Sequence, residues 1–412
     1  MSEERASEDQ ASTATPSRGS VLEVLGVFTR LGLTSFGGPI AHLGYMKTEL
    51  VDRRRWADDA TYADLVALCQ FLPGPASSQV GIAMGIERAG LLGGLAAWIG
   101  FTLPSALALA LFAMGLGSIQ GAETWLHGLK LVAVPVVALA VRGMAVSLCP
   151  DRARASIAVA AAVAVLMWQS ALTQVVVIAA AALAGWAIYR REIGSREGRA
   201  TAGQPLPAWL GVASLALFFV LLMGLPALTA ATESPVLDVL TRFYRVGALV
   251  FGGGHVVLPL LEHEVVDPGW TTSDRFLAGY GAAQAVPGPL FSFAAYLGFV
   301  LDTTPTGWLG AALALVAIYI PSFLLVIGAL PFWARIRGSS IAQAALRGAN
   351  AGVVGLLVAA LYDPVWRVGI ESPQDLAIAL AALLALTHWS APPWLVVVAT
   401  ALASGLMRMA TG

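Results

Sequence analysis

The chain has 412 residues, of which 58% are hydrophobic and 12% charged, with a formal net charge of -1. A soluble globular chain carries roughly 25% charged residues, so the composition describes an integral membrane protein. The charge leaves no basic surface for nucleic acid, and the long apolar runs exclude a membrane barrel, whose strands read as short alternating segments.

Residues 1–20 are small, polar and of mixed charge, without the apolar core of a cleaved signal peptide, and are expected to be a disordered cytoplasmic tail. Crossing about 30 Å of hydrocarbon takes roughly 20 helical residues. Apolar segments follow near 21–45, 61–86, 90–117, 127–149, 155–169 and 171–189. A basic stretch with Arg190, Arg191, Arg196 and Arg199 leads to a single segment near 207–229. Six more fall near 239–261, 276–300, 307–332, 342–362, 374–388 and 392–410. Cys69 and Cys149 lie in or beside these runs without CxxC or Cys/His spacing, so buried thiols are expected and a metal site is not.

The two sets of six are copies. Arg30, Gly32 and Phe36-Gly37-Gly38 match Arg245, Gly247 and Phe251-Gly252-Gly253 at an offset of 215. "ELVD" (49–52) meets "EVVD" (264–267) at 215, and Gln70 and Pro73-Gly74-Pro75 meet Gln284 and Pro287-Gly288-Pro289 at 214. Pro104-Ser105 pairs with Pro321-Ser322 and Lys130 with Arg347, at 217. Small loop insertions explain that drift, and chance does not keep such order.

The expected fold is therefore all-α and polytopic, with broken or re-entrant helices. Residues 21–190 form a first repeat, 191–238 a basic loop and connecting helix, and 239–412 a second repeat. An odd connector after an even unit inverts the second copy. Charge bias agrees: the loop with Lys47, Arg53, Arg54 and Arg55 is basic, while its counterpart at 262–274 is acidic. With the first two segments of each unit re-entrant, all the basic loops share the cytoplasmic side with the N-terminus.

Proline and glycine interrupt the segments at matching places, freeing backbone groups that protein, water or substrate must satisfy in lipid. Pro75 suits the first turn of a new helix, and the amides after it, with Ser77 and Ser78, form an anion-binding end. Pro289 and Ser292 repeat the construction. Gly37, Gly38, Gly252 and Gly253 mark a second pair of breaks, and Gly74 and Gly288 lie within the first. Kinks and close-packing notches are the plainer explanation of a single such break, and the matched pairs favour a site.

Arg30 and Arg245, and Lys130 and Arg347, are paired cations that suit an anionic substrate, with snorkelling to headgroups as the alternative. Glu49 and Glu264 are paired candidates for proton coupling, against a solvated loop position. Gln70 and Gln284 either bind substrate or fasten the break. His42, His255 and His263 lack counterparts in the other half, which favours packing or surface roles.

The duplicated "FGGP...GYMKTELVDRRRW" and "FGGGHVVLPLLEHEVVDPGW", each followed by "QFLPGP" or "QAVPGP", resemble the chromate ion transporter family in its long two-domain form. The likeness runs from about 21 to 410. It implies a bacterial inner-membrane protein that expels chromate under the proton motive force, confers chromate resistance, and has about thirteen membrane segments in antiparallel halves. Gly254 stands where the first copy has Pro39, so the halves need not contribute equally. Chromate is a tetrahedral dianion close to sulfate, and a site of amides, hydroxyls and cations would not strongly separate the two.

Expected partners are thus chromate or sulfate, protons, the lipid bilayer and, as an assembly, a homodimer. No cofactor is expected. The chain lacks a Walker motif and any visible haem, flavin or iron–sulfur ligand set, which argues against ATP hydrolysis or a membrane reductase. An anion channel built from the same half-helices is the alternative to a transporter.

Overall fold

The computed structural model describes residues 19–116, 122–168, 171–190, 206–251, 254–333 and 339–411, and the secondary structure of those residues is helical. The first unit contains α1 (Val21–Thr34), α2 (Gly38–Met46), α3 (Asp59–Phe71), α4 (Ala76–Leu116), α5 (Ala122–Leu148), α6 (Arg152–Met167) and α7 (Ala171–Tyr189). A connecting helix, α8 (Ala208–Thr232), leads to α9 (Pro235–Leu249), α10 (Val257–Val265), α11 (Ser273–Ala285), α12 (Phe293–Val300) and α13 (Gly307–Ala329). The chain closes with α14 (Ser340–Ala360), the short α15 (Arg367–Gly369), α16 (Pro373–Thr387) and α17 (Pro393–Thr411). Among the described residues, five stretches are long and apolar enough to cross a membrane: 76–115, 126–148, 208–232, 307–332 and 340–369.

The expected breaks fall where the prolines and glycines stand. The segment near 61–86 is two helices, α3 and the start of α4, and the segment near 21–45 is α1 and α2. Ala89 and Gly90 leave helical geometry and kink α4 into a half-helix and a long helix. Glu23, near the start of α1, holds Arg88 at the end of that half-helix at 3.1 Å, and Phe28 lies against Gly81. These two pieces therefore run antiparallel. Arg88 also lies 5.3 Å over the Trp56 ring, which brings the 47–58 connection to the same end.

The second unit repeats this at the other end. Tyr296 donates to the Arg275 carbonyl at 2.9 Å, and Phe276 and Tyr280 pack on Phe293, so α11 and α12 form an antiparallel hairpin, the counterpart of α3 and the start of α4. From its kink at Gly90, α4 runs from the first end to the other, where α5 starts. Lys130, near the start of α5, bonds Asp274 at the start of α11 at 2.7 Å. The hairpins of the two units thus open at opposite ends of the bundle, as inversion requires.

Close helix approach fixes the halves together. A side chain on Gly32 would meet the Gly100 carbonyl at 2.6 Å, and one on Gly247 would meet the Ile318 carbonyl at 2.0 Å. Without a hydrophobic driving force between helices in lipid, such small-residue contacts supply much of the association. The outer helices exchange partners between units: α14 packs on α6 and α7, and α5 packs on α16 and α17.

Candidate functional site

The four breaks meet. Gly74 donates its N–H to the Val250 carbonyl at 2.6 Å, and Gly288 donates to the Ser35 carbonyl at 2.8 Å. Ser35 and Val250 each precede a Phe-Gly-Gly motif, so each Pro-Gly-Pro turn is held by the other unit. Gly74 (φ 124°) and Gly288 (φ 105°) occupy the left-handed region that glycine adopts without strain. They also face serines of the opposite unit. A side chain on Gly74 would lie 2.8 Å from Ser322 Oγ, and one on Gly288 would lie 2.9 Å from Ser105 Oγ.

The helix beyond Pro75 begins with Gln79 N–H bonding the Pro75 carbonyl at 3.0 Å, so the amides of Ala76, Ser77 and Ser78 precede the first intrahelical bond. Ser77 and Ser78 are buried; Ser77 Oγ lies 3.5 Å from His42 Nδ1, and Ser78 Oγ 3.4 Å from the Tyr319 hydroxyl. Gln79 Nε2 donates to the Pro73 carbonyl at 2.7 Å and clasps the turn. In the second unit the Ser292 hydroxyl donates to the Pro289 carbonyl at 2.6 Å, within the first turn after the break. That donor is therefore engaged, leaving the Ser292 oxygen as an acceptor.

Several buried polar atoms around the breaks have no hydrogen-bond partner among the described residues: Ser35 Oγ, Gln79 Oε1, Gln284 Nε2 and Ser322 Oγ. His42 Nε2 joins them, with the Ser35 main chain beside it. Buried polar groups are normally paired, so such a cluster is chemistry without its partner. Hydroxyls, an amide and an imidazole around two helix ends can donate to the oxygens of an anion.

The other expected residues are distributed unevenly. Gly37 and Gly38 form the turn into α2, with φ of 99° and 82°. Gly252 and Gly253 lie outside the described residues. Arg30 is exposed on α1. Arg245 bonds Glu264 at 3.0 Å, and Glu264 also approaches Arg242 at 3.5 Å. Glu49 is held at 2.7 Å by Arg54 and 3.0 Å by Arg53. Burial pushes the Glu49 carboxyl up, but these hydrogen bonds outweigh it and hold the group below the usual carboxylate range. Lys130 sits among acids, 2.7 Å from Asp274 and 3.4 Å from Glu371, and Arg347 lies 5.7 Å over the Tyr189 ring. Neither of these two cations is at the crossing of the breaks.

Two histidines expected to serve packing or surface roles stand at the breaks. His42 bonds Ser77, and His255 bonds the Tyr280 hydroxyl at 2.8 Å with its Nε2 facing Gly38 of the other unit, 3.9 Å from where a side chain there would begin. Their lack of repeat counterparts hid them. His263 pairs with Asp267. Gln70 is exposed, and the clasp belongs to Gln79, nine residues on. The Pro-Gly-Pro spacing is the one signal that leads to Gln79, since it opens the following helix.

The family model for chromate transporters matches residues 22–186 and 237–405. The chain is 27% identical over 401 residues to a probable chromate transport protein of Synechococcus elongatus, covering 90% of this chain and 96% of that one. It is 28% identical over 388 residues to a chromate transport protein of Pseudomonas aeruginosa, covering 92% and 88%. Against the uncharacterized transporter YwrA of Bacillus subtilis it is 30% identical over 173 residues, which cover 40% of this chain and 93% of the relative. No solved structure matches. With both repeats matched, the chain belongs to the chromate transporter family.

Proposed function

We propose that the protein is a secondary transporter that carries chromate out of the bacterial cell across the inner membrane, driven by the proton motive force, and so confers chromate resistance. The observation that carries this reading is the crossing of the breaks. Each unit's Pro-Gly-Pro glycine is bonded to the other unit's chain, so both helix ends border one buried place. A substrate there touches both units, and rocking one against the other exposes it alternately to each side. Gly37, Gly38, Gly74, Pro75, Ser77 and Ser78 are the candidate contacts from one half. Gly252, Gly253, Gly288 and Pro289 are those from the other, and Arg30 and Arg245 supply flanking positive charge.

Orientation follows from the two ends. Lys47, Arg53, Arg54, Arg55, Arg88, Arg152, Arg154 and Arg190 lie at the end where the first unit's hairpins open, whereas Asp267, Asp274, Asp302 and Glu371 mark the other. By the positive-inside tendency these basic residues support a cytoplasmic N-terminus. A dianion leaving an inside-negative cell gains roughly 2.3 kcal/mol per charge per 100 mV, so the electrical component alone favours export.

Uptake of labelled chromate into everted vesicles, with and without imposed gradients and with excess sulfate, tests the reading. Saturable accumulation that collapses with the gradients is expected, with sulfate competing. Flux that does not saturate points to a channel, and no flux under any gradient overturns the assignment.

A further inference from the structure

We infer that Arg245 changes partners during transport, leaving the Glu264 carboxylate for the oxyanion, and that Glu264 takes a proton from water as it is released. This rests on the oxyanion-transport reading above and adds to it a residue pair that links anion binding to proton binding.

Between α7, α9 and α10 lies a cavity of about 290 Å³ whose lining includes Gln174, Arg245, Leu249, Leu260, His263 and Glu264. A water's share of liquid volume is about 30 Å³, so a tetrahedral ion and several waters fit. Leu249 precedes Val250, whose carbonyl holds the Gly74 amide. The lining thus includes the chain neighbour of a residue at the crossing of the breaks. It is built on α9 and α10 of the second unit, whose hairpins open at the acidic end.

The two arginines around Glu264 differ in freedom. Arg242 is fixed three ways: to Asp238 at 2.9 Å, to the Glu264 carbonyl at 3.2 Å and over the Trp270 ring at 4.5 Å. Arg245 lines the cavity, and its one ion pair among the described residues is with Glu264. A guanidinium binds a tetrahedral oxyanion through two parallel N–H bonds, so an anion in the cavity competes for Arg245 directly. Glu264, with its side chain 7% exposed, is then left with Arg242 at 3.5 Å and a dianion beside it. Protonating the carboxylate removes that like-charge contact.

Of the remaining charged neighbours, His263 also lines the cavity. On or just after α10, His263 pairs with Asp267, while Glu262 faces Asp267 and Asp363. Asp274 and Arg275 of α11 pair with Lys130 and Asp302, Arg347 of α14 lies over Tyr189, and His255 bonds Tyr280. From α7 the cavity receives Gln174, which is neutral.

The first unit lacks the device. Glu49 takes Arg53 and Arg54, which the second copy replaces with Pro268 and Gly269, while Arg242 stands where the first copy has Val27. Arg30 is accordingly not paired with Glu49. Coupling through one unit gives about one proton per anion. A dianion leaving with one proton still exports net negative charge, so the membrane potential drives the cycle although the proton gradient opposes it.

The test is calorimetric titration of the purified full-length protein with sulfate, which takes up no proton itself near neutral pH, in two buffers of different ionisation enthalpy. Chromate is titrated in parallel. The expected result is uptake of about one proton per sulfate bound, with affinity falling as pH rises by up to about tenfold per unit. Glu264→Gln is expected to bind at least as tightly, without proton uptake and without pH dependence. Glu262→Gln is expected to behave as wild type. Binding without proton uptake, uptake that survives in Glu264→Gln, or uptake lost in Glu262→Gln overturns the exchange and leaves oxyanion transport standing. Failure of the wild type to bind either anion overturns both. If Glu264→Gln does not fold, Arg245→Gln decides: the exchange requires at least a tenfold loss of sulfate affinity together with loss of proton uptake, and unchanged binding overturns it.

Discussion

At single residues, the glycines of the helix contacts are the most constrained positions. Gly32 and Gly247 are repeat partners, and a methyl group on either would press on a backbone carbonyl of a neighbouring helix, at 2.6 Å and 2.0 Å. Backbone cannot swing aside as a side chain can, so the helices must part. Gly32→Ala is expected to cost about 1–3 kcal/mol, read as a lower unfolding midpoint in detergent. Gly26, on the same helix, has open space where its side chain would begin, so Gly26→Ala is expected to be neutral or slightly stabilising. Equal loss from both would mean that the close contact at Gly32 does not set the effect. A second residue-scale expectation concerns pH. Glu49 is held ionised by Arg53 and Arg54, so its folded-state pKa lies below its unfolded one, and its contribution to stability exists above the unfolded value. The stability advantage of wild type over Glu49→Gln is therefore expected at neutral pH and to disappear as pH falls through the carboxylate range. An advantage that is flat with pH would show that the ion pairs contribute nothing.

Among elements, the broken helices were the most legible part of the sequence. Pro-Gly-Pro forbids helix continuation by sterics alone, so both turns could be placed from composition, and the repeat offset located their partners. The exchange of contacts between units could not be read, because nothing in a linear offset says that Gly74 bonds Val250 rather than its own half. The clasp was equally hidden. Gln79 bonds back across its turn to Pro73, whereas Phe293 occupies the equivalent place in the second unit and Ser292 bonds Pro289 beyond the turn. The cations misled in one respect: repeat symmetry suggested that all four arginines and lysines share a site, but Lys130 and Arg347 are engaged with Asp274 and Tyr189. The clasp makes a clear prediction. Gln79→Leu fills similar space but leaves the Pro73 carbonyl without its donor, at a cost of about 1–3 kcal/mol. Transport is expected to fall severalfold while the protein still reaches the membrane. Full chromate transport by this variant would show that the turn is set by proline and glycine alone.

For the whole molecule, duplication and inversion set equivalent connections of the two units at opposite ends, the second poorer in basic residues than the first. The first unit's hairpins open where Lys47, Arg53, Arg54 and Arg55 stand, and the second unit's open where Asp267, Asp274 and Asp302 stand. A relative almost wholly covered by 173 residues is about one repeat long, so a single unit exists as a chain of its own. Two copies in one chain let their sequences diverge. Divergence is visible in Gly254 for Pro39, in Phe293 for Gln79, and in the arginines that surround Glu264 but not Glu49 in the same way. The inverted arrangement can be tested without any assay of transport. Asp59 in the first unit and Asp302 in the second have side chains 75% and 57% exposed, in connections at opposite ends of the bundle. In a cysteine-free background, Asp302→Cys is expected to react with a membrane-impermeant maleimide in intact cells. Asp59→Cys is expected to react only in everted vesicles. Labelling of both from the same side would mean that the two repeats lie parallel. An alternating-access site formed by the crossing of the breaks would then lose its geometric basis, because parallel copies cannot present equivalent half-helices to opposite sides of the membrane.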